Sequence, residues 1–141
     1  MLAELRSRDP GGADVLVSLS SRPREGPRTG SADQPAPESP VNGRFAVVFG
    51  HEKREDRHYR GLLHELSHLF GALDVEDPSD PDWQKGSYMS YAFVPDAQAP
   101  WLDEANRRRV LERKQHAFRP GRPSSGRDPM RAPSGSGEGS P

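Results

Sequence analysis

The sequence predicts a small α+β domain, and three observations carry that expectation. Two short runs rich in apolar and β-branched residues, at 13–20 and 44–49, have the length and composition of strands. Apolar residues recur at helical spacing over 55–70, and a glycine stands just past the end of that run. A second helical stretch occupies 104–118. The expected arrangement is a mixed sheet backing the first helix, with the second helix later in the chain.

Taken in order, residues 1–12 are an N-terminal lead that could be disordered, and the strand at 13–20 reads as buried because it is almost wholly apolar around Val15, Leu16, Val17 and Leu19. Residues 21–42 are dominated by Pro, Gly, Ser, Arg and Glu, the composition of a long surface loop or a flexible insertion. The second strand, from Arg44 to Phe49, ends at Gly50. The first helix starts near Glu55 or Asp56 and ends at Phe70; Leu62, Leu66, Leu69 and Phe70, with Leu63 at the margin, should pack on the sheet. That leaves His64 and His68 away from the centre of the apolar face. Residues 75–86 form an acidic loop with turn-forming prolines, for which solvated turns are the default and calcium binding the weaker reading. Asp103 is placed to N-cap the second helix, whose inner stripe would be Val110, Leu111 and Phe118. Residues 119–141 are a Pro/Gly/Ser/Arg tail expected to be disordered, so the folded domain spans 13–118.

Composition narrows the classes. The 141 residues allow one domain at most, and with 31% hydrophobic residues, 14 Gly and 15 Pro the packed part must be smaller than the chain; the mean hydropathy is -0.92. A formal net charge of -1 provides no global attraction to nucleic acid or to an anionic membrane. The cluster Arg107, Arg108, Arg109, Arg113 and Lys114 is interrupted by Glu104 and Glu112, as expected of a solvated helix face. With no cysteine, disulfides and thiolate ligands are excluded and the compartment stays open. The first residues carry no apolar run long enough for a signal peptide or a membrane helix.

The chemistry is concentrated in the run from His64 to Asp74. Residues four apart lie on one face of a helix, so His64 and His68 can aim ring nitrogens at a single ion. Glu65 then stands beside the ion, where it can act as a general base on an activated water. Gly71 can adopt a positive φ and turn the chain back, bringing Asp74 round as a third ligand, although Asp77 and Asp80 are close enough to compete for that role. Two His and one carboxylate leave a fourth position for water and substrate, as catalytic zinc sites require. His51, His58 and His116 have no spacing that ties them to such a site.

This pattern resembles the metzincin metallopeptidases, whose signature is HExxHxxGxxH followed by a methionine turn, with Asp74 standing where most members have a third His. The segment Gly86-Ser87-Tyr88-Met89-Ser90-Tyr91 looks like the methionine turn. The resemblance implies a small metzincin-like fold lacking part of the upper subdomain, with Met89 as an apolar floor under the imidazoles and Tyr91 as a catalytic oxyanion donor. It also implies a Zn2+ cofactor and peptide or protein substrates. Hydrolysis would use Glu65 as base, on a peptide paired to the strand at 44–49. Nucleic acid and membrane are not expected as partners, and an extracytoplasmic location follows from the resemblance alone. The alternatives are an inactive zinc-binding domain, and a structural or interaction protein in which HExxH is incidental.

Overall fold

The computed structural model describes residues 2–8, 13–20, 30–50, 55–90 and 101–119. A short helix α1, Leu2–Ser7, precedes strand β1, Leu16–Ser20, strand β2, Gly30–Ala32, and strand β3, Phe45–Phe49. Helix α2, Glu55–Leu69, is followed by the short α3, Pro81–Gln84, and by α4, Glu104–Arg113. The result is α+β, with a three-stranded mixed sheet of order β1-β3-β2 and four helices among the described residues.

β3 is the centre of the sheet. β1 pairs with it in parallel, Leu16 opposite Phe45 through Ser20 opposite Phe49, and β2 pairs antiparallel along its other edge, Gly30 opposite Val48. All five β3 residues are buried, and because alternate side chains point to opposite faces, both faces must be covered. The unbroken apolar run Phe45-Ala46-Val47-Val48-Phe49 suits such a position. α2 packs on β3 and β2, and α1 also contacts β3.

Several expectations are revised. The first strand is shorter than 13–20 and, among the described residues, lies at an edge of the sheet; Leu19 is 74% exposed, so the face of β1 that carries it is open to solvent rather than buried. Within the expected lead, Leu2–Ser7 is helical, and Arg6 forms an ion pair with Asp33. Of the expected insertion, residues 30–42 carry β2 and then run back beside the second helix, with Val41 bridged to Ala117; residues 21–29 lie outside the described set. α4 ends at Arg113, and Leu111 is 44% exposed; its buried residues are Asn106 and Arg113. Phe118 lies beyond the helix and packs edge-on against Phe70, ring centres 5.7 Å apart. Of the tail, Arg119 donates to the Ala13 carbonyl at 2.8 Å, and residues 120–141 lie outside the described set.

Arg113 explains why residues 34–42 need no regular structure of their own. It is 8% exposed, and its guanidinium donates to the carbonyls of Ala36, Pro37, Ser39 and Val41 and to Asn42 Oδ1 at 2.8–3.4 Å. Asn42 answers by donating Nδ2 to the Arg113 and His116 carbonyls. One planar cation thus supplies the donors that a neighbouring strand would otherwise provide.

Candidate metal centre

The last two turns of α2 hold the site. His64 and His68, 5% and 8% exposed, stack one turn apart with their rings edge to face and their Nε2 atoms 3.1 Å from each other. Their face of the helix is covered, in contrast to the position away from the packed face that the apolar pattern suggests. Each ring is fixed from behind. His64 Nδ1 donates to the Tyr88 carbonyl at 2.9 Å, and His68 Nδ1 donates to the Ala72 carbonyl at 2.8 Å. A carbonyl can only accept, so both neutral rings carry their proton on Nδ1 and turn the Nε2 lone pair to the same point.

Gly71 turns the chain where the sequence predicts. Its φ is +79°, and the N–H groups of Gly71 and Ala72 close onto the His68 and Ser67 carbonyls at 2.9 and 3.1 Å, ending the helix. Asp74 then returns, with Oδ1 3.1 Å from His64 Nε2 and 3.3 Å from His68 Nε2. Three acceptor atoms converge, and either a shared proton or a metal cation is what holds such a set together. Ligands bonded to a tetrahedral zinc at about 2.0–2.1 Å stand about 3.3–3.4 Å from one another, close to the triangle formed here. His64, His68 and Asp74 can therefore hold a metal ion.

The electrostatics agree. Burial works to raise the Asp74 carboxyl, but its hydrogen bonds to His64 and His68 outweigh it and hold the group well below the usual carboxylate range. Burial opposes protonation of His68, yet the Asp74 hydrogen bond, the Ala72 carbonyl and the charges of Asp74 and Glu65 together raise its pKa.

Asp77 and Asp80, the rival third ligands, serve the local backbone instead. Asp77 accepts from the Ser79 N–H and hydroxyl at 2.8 and 2.7 Å, and Asp80 caps α3 through the Asp82 N–H at 2.7 Å. These bonds use the acidic loop's oxygens for turns. Met89 is fully buried in the turn whose Tyr88 carbonyl orients His64, and its own carbonyl accepts from the Val75 N–H at 2.9 Å. Tyr91 lies outside the described residues.

Glu65 is 3% exposed and lies directly under β2. A Cβ on Gly30 would fall 2.5 Å from Glu65 Cγ and Oε1 and 2.4 Å from the Val47 carbonyl oxygen, so only glycine lets β2 pass this close. Gly30 is a site residue that the sequence did not reveal, since it sits in a stretch rich in Gly and Pro. Asn106 was missed too, and Asp103 does more than cap α4; both reach loops of the site. The Asp103-Glu104-Ala105-Asn106 spacing puts both polar residues on one side of the first turn, a signal that was available.

Arg107 and Arg108 lie exposed on α4 while Arg113 is buried, which divides the basic cluster between solvent and core. Among the described residues no helix is long and apolar enough to cross a membrane. Comparison with known proteins finds no family model, no curated protein and no solved structure that matches the chain.

Proposed function

We propose that the chain is a zinc-dependent endopeptidase of metzincin type. The observation that carries this is the convergence of His64 Nε2, His68 Nε2 and Asp74 Oδ1 at tetrahedral spacing, next to a buried carboxylate that is not one of the three. Two imidazoles and a carboxylate suit zinc, which when bound lowers the pKa of water to about 7 and polarises a carbonyl. Glu65 would accept the proton that water gives up as its oxygen attacks the peptide carbonyl carbon. The same carboxyl would return that proton to the nitrogen as the C–N bond breaks, so no covalent enzyme intermediate forms. Met89 would serve as the floor of the site and Tyr91 as a hydrogen-bond donor to the developing oxyanion, both by the resemblance to metzincins.

The substrate strand needs one correction. β3 has both edges paired, so a peptide cannot be added to the strand at 44–49. β2, which runs against Glu65, is the edge strand on the side of the site, and an extended peptide would pair there.

A second class of protein, one that holds metal without turnover, is favoured by a specific observation: Glu65 is 3% exposed beneath Gly30, which leaves little room at the base. Elemental analysis and peptide cleavage distinguish the two. Wild type should carry about one zinc per chain, lost in His68→Ala and weakened in Asp74→Ala. Glu65→Gln should keep its zinc and lose about 10²–10⁴-fold in turnover. Bound zinc with no cleavage by wild type would select the non-catalytic protein, and a folded wild type without metal would end both.

A further inference from the structure

The two loops that complete the centre, 71–75 and 86–90, have to keep the Asp74 carboxylate and the carbonyls of Ala72 and Tyr88 in place. Neither belongs to the sheet. Two buried polar side chains at the start of α4, its N-cap Asp103 and Asn106, reach both. Asn106 is 2% exposed; its Oδ1 accepts from the Leu73 N–H at 2.8 Å and its Nδ2 donates to the Leu73 carbonyl at 2.9 Å. The amide thus grips one residue through both backbone groups, as a paired strand would. Leu73 lies between Ala72, whose carbonyl orients His68, and Asp74 itself.

The other side chain reaches the other loop. Asp103 is 1% exposed; its Oδ1 accepts from the Asn106 N–H at 2.9 Å, which is the helix cap, while its Oδ2 accepts from Asn106 Nδ2 at 2.9 Å and from the Ser87 hydroxyl at 2.8 Å. Ser87 is fully buried, accepts from the Met89 N–H at 3.2 Å, and directly precedes Tyr88, whose carbonyl orients His64. A helix cap alone would need only the first of these bonds. Of the others, one ties Asp103 to Asn106, and the rest leave α4 and end on Leu73 and Ser87, each adjacent to one of the two orienting carbonyls.

We infer that Asp103 and Asn106 are positioning residues for the metal centre, a buried pair that sets the loop carrying Asp74 and the turn carrying the Tyr88 carbonyl in register with each other. Their role rests on the metal centre proposed above. Groups that orient metal ligands from behind typically change metal affinity or activity about 10–100-fold when removed. A pair that orients two such groups should be felt in metal affinity and in ligand geometry, beyond any loss of fold stability.

The test compares wild type, Asn106→Ala and Ser87→Ala, with Arg108→Ala on the exposed side of α4 as control. Zinc affinity is measured by chelator competition, the visible spectrum is recorded after loading with Co2+, and the metal-free forms are melted in parallel. Asn106→Ala should bind zinc about 10–100-fold more weakly and shift the Co2+ bands, which report ligand geometry. Ser87→Ala keeps the cap bond from Asp103 to the Asn106 N–H and should fall between Asn106→Ala and wild type, while Arg108→Ala should match wild type. If Asn106→Ala does not fold, Ser87→Ala decides. Unchanged affinity and spectrum in the folded variants, whatever their melting temperatures, overturn the inference and leave the metal centre standing. A folded wild type that takes up no metal overturns both.

Discussion

The chain is held together differently on the two sides of α2. Before it, the sheet packs by apolar burial, and β3 alone supplies five of the eight buried apolar residues among those described. After it, Ala72 and Met89 are the buried apolar residues among those described, against Ser87, Ser90, Asp103, Asn106 and Arg113 as buried polar ones. Apolar burial is non-directional and fixes a surface, whereas a hydrogen bond fixes the position of an atom. The half that uses hydrogen bonds is the half that supplies Asp74 and orients the two imidazoles of α2, through the Tyr88 and Ala72 carbonyls, so that three ligand atoms stand 3.1–3.3 Å from one another.

Arg113 offers the most forceful way to break this comparison. If the second half were held by ordinary packing, Arg113→Leu would be nearly neutral, since replacing a buried charge by a hydrocarbon is often tolerated. Here the change strips donors from four carbonyls and from Asn42 Oδ1, while the acceptors stay behind. Each buried acceptor left without a donor costs about 1–3 kcal/mol, reduced where water can reach it, so a loss of about 2–4 kcal/mol is expected in urea unfolding. A loss below about 0.5 kcal/mol, the ordinary range for surface changes, would place Arg113 among solvated residues and remove the contrast.

Gly71 tests the junction between the halves, with a smaller effect. Its φ of +79° costs an alanine about 1–2 kcal/mol, and the new Cβ would stand 3.0 Å from Arg113 Cδ. Gly71→Ala should therefore lower the stability of the metal-free protein by about that amount and weaken zinc binding as Asp74 shifts. Gly71→Asn separates the causes, because asparagine tolerates the left-handed region but keeps the contact with Arg113. Equal losses in the two variants would make the steric contact the dominant cause, and a milder loss for Asn would assign it to the backbone.

What could be read from the sequence follows the same division. β3, the span of α2, the turn at Gly71 and the His64–His68–Asp74 triangle were all legible, because hydrophobic periodicity and ligand spacing are local properties. The sequence also places the start of α4 and its cap at Asp103, but not the inner face of the helix. Hydropathy assigns that face to Val110, Leu111 and Phe118, whereas the buried residues of the helix are Asn106 and Arg113 and Phe118 lies beyond its end. Their partners, Leu73 and residues 36–42, are 33 or more positions away in the chain, and no periodicity encodes such a match. β2 escaped for a related reason: three residues, Gly30-Ser31-Ala32, become a strand through pairing with β3 rather than by propensity.

The smallest effect is expected at the outer edge of the sheet. Leu19 in β1 stands opposite Val48 in register but is 74% exposed, and β1 is an edge strand among the described residues. Leu19→Lys removes little buried apolar surface and puts a charge on an edge strand, a substitution that also discourages edge-to-edge association. The stability change should stay within about 0.5 kcal/mol by urea unfolding. A loss above about 1 kcal/mol would mean that Leu19 is covered in solution. The apolar half would then extend over the face of β1 that carries Leu19.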